Sequence, residues 1–273
     1  LPDSGRIISS GPVDIVLGYE LSLFLSVIGL FAGMVVLGRL GSHVASMRAS
    51  RTPDGAWEGT AVVDSAVFGL LALLIAFSFS GAMSRLEIRR NLVVEEANAI
   101  GTAYQRLDLL PKESQPALRA TFRRYLDSRL ETYRLLPDDE AALSEFKNSK
   151  RLQDEIWNQT LLAARDVQPA TMLLIPALNE MFDITATRTI NAIYMHPPGI
   201  VFAMLFGVAL LGAALVGYEM AKGKGRIWLH LSVFAAATSF AIYVILDAEY
   251  PRLGLIRVDA IDQALVDLGA AIK

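Results

Sequence analysis

The sequence predicts an all-α integral membrane protein with four transmembrane helices and a helical extramembrane domain between the second and third. Three observations carry this prediction. Four uncharged apolar runs stand apart along a chain of 273 residues with mean hydropathy +0.41 and 19% charged residues. Residues 84–198, between the second and third runs, hold 15 Lys+Arg and 16 Asp+Glu, so that stretch is water-compatible. Within it the pattern between prolines is helical, with no period-two strands and no Asn-Gly hairpin.

A membrane helix needs about 20 mostly apolar residues, with about 17 as the lower end. Residues 21–38, 65–83, 199–217 and 227–246 satisfy this; none holds Asp, Glu, Lys or Arg, and His230 is the one histidine among them. Polar or charged residues close each run: Glu20 and Arg39, Asp64 and Arg85, His196 and Glu219, Arg226 and Asp247. Four buried helices of a large soluble protein are the alternative, and four such runs in one short chain weigh against it. The divisions that follow are a first helix pair at 15–83, the extramembrane domain at 84–198, a second pair at 199–247 and a tail at 248–273.

Small residues mark two spans. Gly18, Ser22, Ser26, Gly29 and Gly33 recur at helical steps on the first. Ala203 with Gly207, Ala209 with Ala213, and Ala213 with Gly217 do so on the third. Such stripes let helices approach closely in lipid. Packing inside the four-helix unit is the expected use, and packing between subunits is the sharper alternative.

The loops carry Arg39, Arg48, Arg51, Lys222, Lys224 and Arg226, against Arg6, Arg252, Arg257 and Lys273 in the tails. That leans toward cytoplasmic loops and an external domain. Arg85, Arg89 and Arg90 pull the other way, so orientation stays open. The chain opens on Leu1, so a trimmed or processed start is expected, and no signal-peptide cleavage site stands out in residues 1–20.

In the domain, helices are expected at about 84–110, 114–136, 139–167 and 170–195, the first continuing the second span. Ser114 is placed to cap the second of these, with Pro116 tolerated in its first turn. Asp138, Asp139 and Glu140 suit the dipole at the start of the third. The first helix has an apolar face of Leu86, Val93, Ala97, Ile100, Tyr104 and Leu107. Another face carries Glu87, Asn91, Glu95, Asn98, Thr102 and Gln105. That stripe is either solvated, the commoner arrangement, or the wall of a polar passage. The fourth helix offers a matching set: Asn179, Glu180, Asp183, Thr187 and Asn191, with Arg188 beside it.

Specific chemistry is missing. There is no cysteine, which excludes disulfides, thiolate metal sites and cysteine nucleophiles. His43, His196 and His230 are far apart in sequence, and there is no HExxH, GxSxG, P-loop, GxGxxG or EF-hand loop. No enzyme activity, cofactor or metal is expected. A net charge of −3 gives no basic surplus for nucleic acid.

One long block carries a resemblance. Residues 77–90 run into 92–104, where Glu95, Glu96, Ala97, Asn98, Ala99, Ile100, Gly101 and Thr102 follow one another, and end in 106–111. Residues 177–183 with Arg188, and residues 250–258, add two further blocks. Together they resemble the bestrophin-like family of bacterial membrane proteins, named for its similarity to the bestrophin anion channels. The resemblance implies a homo-oligomer, most readily a pentamer, in a bacterial inner membrane. It further implies an ion channel, by analogy an anion channel, whose pore is lined by the second membrane helix. A non-conducting scaffold or accessory subunit, docking another membrane protein through the helical domain, is the other reading.

On the channel reading, Asp64, Phe68, Leu71, Ile75, Ser78, Ala82, Arg85 and Arg89 form one helix face directed at the axis. Phe68, Leu71 and Ile75 would be an apolar constriction gating by dewetting, and Arg85 and Arg89 would draw anions. Packing of this face on the first or fourth span, with the arginines on lipid phosphate, is the alternative. A buried polar network is expected from Glu95, Glu96, Asn98 and Thr102 with Asn179, Glu180, Asp183 and Arg188 (or Arg106). Loss of Glu180 would then be more costly than loss of Glu145.

Overall fold

In the computed structural model the described residues are 12–51, 60–135, 138–193, 195–221, 227–251, 254–256 and 262–272. The helices are α1 (Pro12–Arg51), α2 (Thr60–Gln105), α3 (Gln115–Arg134), α4 (Asp139–Ala164), α5 (Gln168–Ile193), α6 (Gly199–Met220), α7 (Ile227–Glu249) and α8 (Gln263–Ala271). A single 3-10 turn, Arg106–Leu109, follows α2. No strand occurs among the described residues, and four helices are long and apolar enough to cross a membrane. The protein is an all-α integral membrane protein. The loop cations Lys222, Lys224 and Arg226, and Arg6, Arg252, Arg257 and Lys273 in the tails, lie outside the described residues.

Contacts divide the chain into two units, one formed by Leu1–Gly18, Leu86–Met195 and Pro251–Lys273, the other by Tyr19–Arg85 and His196–Tyr250. The second holds the apolar spans and the first the polar domain. α2 is one 46-residue helix contributing to both. Gly81 and Gly101 do not interrupt it, because each costs a helix only about 1 kcal/mol.

The span unit is built around a backbone-to-backbone crossing of α1 and α6. A methyl added at Gly41 would collide with the Ala214 carbonyl, and one at Gly217 with the Gly38 carbonyl. Met34, Ala209 and Ala213 are fully buried beside these glycines in the sequence of their helices. This corrects the expected use of the first small-residue stripe. Ser22, Ser26 and Gly29 are exposed, and nothing stands within 4 Å of a Cβ built at Gly18 or Gly29. Of the five, Gly33 alone is shown to meet α6, at Leu210. On α6, Ala209, Ala213 and Gly217 are the packed members, while Gly207 has nothing close. Small size permits approach from either side of a helix, so the stripe could not say which side was used.

The extramembrane unit has an apolar core of Val93, Ile100, Leu107, Phe122, Leu126, Ile156, Leu174 and Leu178 among others. Tyr104 meets Phe122 edge-on at 5.9 Å, and Trp157 tilts against Phe182 at 6.3 Å. Asp138 caps α4, its carboxylate accepting from the amides of Glu140 and Ala141 at 3.1 and 3.0 Å. Ser114 precedes α3 but its hydroxyl makes no cap bond; instead the Gln115 side chain donates through Nε2 to the Leu110 carbonyl at 2.9 Å. Pro116 sits in the first turn of α3 as expected. α8, in the tail, was not foreseen.

Candidate functional site

The charged centre of the extramembrane unit starts from three ionisable residues on apolar helix faces. Glu96 follows Val93 and precedes Ile100 on α2; Arg129 follows Tyr125 on α3; Arg188 follows Met181 and Thr185 on α5. Amphipathic packing drives each inward with its neighbours, and a buried charge persists only when paired. Arg129 Nε donates to Glu96 Oε1 at 2.6 Å, and Arg188 Nη1 donates to Glu96 Oε2. Arg188 Nη2 donates to Asp262 Oδ1 at 2.8 Å, giving two cations and two carboxylates. Thr185 donates to Glu96 Oε1 at 3.4 Å and shares a 2.7 Å bond with the Tyr125 hydroxyl, which also accepts from Gln153 at 3.1 Å. The Arg188 guanidinium lies 3.5 Å from the centroid of the Tyr133 ring.

Burial opposes the charge on Arg129, but the Glu96 carboxylate outweighs it and holds the guanidinium above its ordinary range. Burial likewise opposes the charge on Arg188, and Tyr133, Glu96 and Asp262 outweigh it. Burial pushes the Tyr125 phenol up to about 12. These groups hold one protonation state across the physiological range, which suits a structural joint more than proton transfer.

The structure brings Glu96 and Arg188 together and keeps the rest of the expected network at the surface. Glu95, Asn98, Asn179, Glu180 and Asp183 are exposed and Thr102 is half-buried. Glu87, Asn91 and Gln105, from the same stripe, are exposed too. Arg106 donates to the Leu173 carbonyl at 2.7 Å. The buried pair expected at Glu180 is not formed: Glu180 is exposed, while Glu145 accepts from the Ser128 hydroxyl and from Asn148 at 2.8 Å. Pro176, Asn179, Glu180, Asp183, Ile184 and Thr187 line an open groove along α5.

In the span unit, the expected pore face of α2 is the packed face. Leu71, Ala82 and Asp64 are buried; Phe68, Ile75 and Ser78 are partly so. Phe68 meets Phe234 edge-on at 6.0 Å, and both Phe68 and Leu71 border Gly212 of α6. Arg85 donates through Nε to both Glu249 oxygens at 3.0 Å and through Nη2 to Oε2 at 2.8 Å. His196 Nδ1 stands 3.4 Å from Glu249 Oε1, and its ring stacks on Tyr250 at 4.6 Å. Arg89, in the other unit, donates to the Met195 carbonyl at 3.1 Å. The alternative reading of this face is packing on the first or fourth span with the arginines on lipid phosphate; Phe68 does meet the fourth span, at Phe234 of α7, whereas Leu71 borders α6 and Arg85 is held by Glu249. No group of three or more metal-ligating side chains forms among the described residues.

A family model, the Bestrophin-like domain, matches residues 23–261. The chain belongs to the bestrophin-like family. The fold agrees with that placement. A crystal structure of a bacterial bestrophin homologue from Klebsiella pneumoniae superposes with a TM-score of 0.64 at 16% identity, covering 87% of this chain and 97% of that one. Two single-residue variants of that homologue match with TM-scores of 0.65 and 0.64, at 15% and 16% identity, covering 88% and 90% of this chain and 99% and 98% of theirs. No curated protein matches. Two of the blocks that carry the bestrophin-like resemblance, around Glu96 and up to Arg188, are the two that the buried ion pair ties together.

Proposed function

We propose that this bestrophin-like protein is an ion channel in which several copies surround an axis, each lining it with the face of α2 left open by its own chain. The observation carrying this reading is a continuous exposed stripe. Leu70, Leu73 and Phe77 are exposed apolar residues. Ser80, Ser84, Glu87, Asn91, Glu95 and Asn98 continue the same face, and all six are exposed. From Leu70 to Gln105 the stripe takes ten steps over 35 residues, averaging 3.5. That period lets copies of one helix wrap about each other with the stripe kept toward the common axis. The most apolar window of α2 is also the least buried of the four spans, at 11% against 33% for α7. An apolar constriction then leads into a hydroxyl- and amide-lined passage, an arrangement that can gate by dewetting and conduct beyond it.

The ion's sign follows from the charges on that stripe. Glu87 and Glu95 are carboxylates, and no lysine or arginine lies among the residues just named. Rings of carboxylates favour cations, which weighs against the anion conduction implied by resemblance to bestrophins. Ring assembly, five-fold by the same resemblance, is part of the proposal, as is a bacterial inner-membrane location. The scaffold reading draws on Leu162 and Met172, which are 78% and 67% exposed on the polar unit and available to a partner.

Cysteine substitution tests the lining, because the chain has no native cysteine. Phe77→Cys and Ser80→Cys should give ion flux in liposomes that a charged thiol reagent blocks, whereas Leu71→Cys should not respond. Equal insensitivity at Phe77 and Ser80, or a strictly monomeric protein by native mass spectrometry, removes this pore.

A further inference from the structure

α8 is nine residues long, and isolated helices shorter than about 12–15 residues are marginal in water. Its order comes from the surface beneath it. Leu265 is fully buried and Ile272 nearly so. Leu268 Cδ1 stands 3.3 Å from where a Cβ on Gly101 of α2 would be, and Leu126 Cδ2 of α3 stands 3.4 Å from the same point on Gly269. α8 thus packs against both α2 and α3.

Each end is fastened by polar groups. Ahead of the first turn, Asp262 accepts from Arg188 at 2.8 Å. Past the last turn, the Ile272 carbonyl accepts from Arg123 Nε at 2.8 Å and from the Tyr104 hydroxyl at 3.2 Å. Arg188 also serves the buried Glu96 through its other terminal nitrogen. One guanidinium therefore senses both the carboxylate of α2 and the tail.

We propose that α8 is a clasp that opens while the rest of the unit stays folded, and that its docking is coupled through Arg188 and Tyr104 to residues 96–104 of α2. Docked, two cations face two carboxylates. Released, Arg129 and Arg188 share Glu96 alone, leaving one positive charge uncompensated beside a buried pair, an arrangement that is costly. The Asp262 side chain is the member that water reaches, at 19% exposure against 4% for Arg188 and none for Glu96 or Arg129. Opening therefore starts there, and α2 loosens with it. The inference does not depend on ion conduction.

Amide hydrogen exchange on the full chain in nanodiscs tests it. Asp262→Asn should raise exchange roughly tenfold or more in α8 and in residues 97–104, with residues 150–157 of α4 unchanged. Leu265→Ala, which leaves Arg188 untouched, should give the same pattern. Gly101→Cys with Leu268→Cys, oxidised in the Asp262→Asn background, should restore protection to both segments. Loosening of α8 with 97–104 unchanged would make the tail a passenger. No change in either segment would mean that Asp262 does not hold the clasp, and a rise in every helix together would make α8 part of one cooperative core. Each of those three results overturns the proposal.

Discussion

A single step along α2 separates a buried charge from a solvated one. Glu95 is exposed and Glu96 fully enclosed between Arg129 and Arg188, because each residue turns the helix by about 100°. Glu96→Ala should destabilise the protein by about 3–5 kcal/mol by stranding the buried Arg129 and leaving Arg188 with Asp262 alone, while Glu95→Ala should stay within about 0.5 kcal/mol. Thermal unfolding in detergent separates them. Tyr125 gives a second test. Its phenol is raised from 10.0 to about 12, so the stability it contributes is full below pH 10 and is lost as pH rises through about 12. The phenolate absorbance that Tyr125→Phe removes should appear near pH 12 rather than near 10. Glu96 was in the expected network, but among surface neighbours. The signal for its true role was that Glu96, Arg129 and Arg188 each fall on the apolar phase of their helices, where a charge must find a partner. Knowing which partner needs the fold.

At the scale of the helix, the spans were legible because lipid demands long uncharged runs, and α2 was expected to continue past Met83. The inward face of each span was not legible. In lipid both faces are apolar, so periodicity cannot choose between Phe68 and Phe77, and the face expected at the axis is packed within the chain at Leu71 and partly at Phe68. α8 was illegible for another reason: nine residues ordered by docking carry little propensity signal. The crossing of α1 and α6 gives the sharpest element-scale prediction. Gly217→Val places a side chain against the Gly38 carbonyl and should abolish the folded protein in a thermal or size-exclusion assay. Gly29→Val, at a position with nothing within 4 Å, should leave each chain's fold intact and show its effect, if copies pack there, in the oligomer.

For the whole molecule, the proposed passage makes selectivity a property of Glu87 and Glu95. Neutralising both, as Glu87→Gln with Glu95→Gln, should shift the reversal potential toward zero in a salt gradient across a planar bilayer while conduction persists. An unchanged potential would take the acidic stripe out of the ion's path. Glu180→Gln and Asp183→Asn, on the groove of α5, are the controls that show whether that second acidic surface belongs to the path as well.

The contact between Gly38, Gly41 and Gly217 also orders events in time. α1 ends at Arg51 and α6 begins at Gly199, so 147 residues are synthesised between the two halves of the crossing. At about 5–20 residues per second the first span waits roughly 7–30 seconds for the surface that fits its glycines. During that interval its narrow glycine groove faces lipid or an insertion chaperone. A nascent chain halted on the ribosome before residue 199 should therefore expose a cysteine placed at Ala45, which is fully buried one turn past Gly41, to a membrane-soluble thiol reagent, and the full-length chain should protect it.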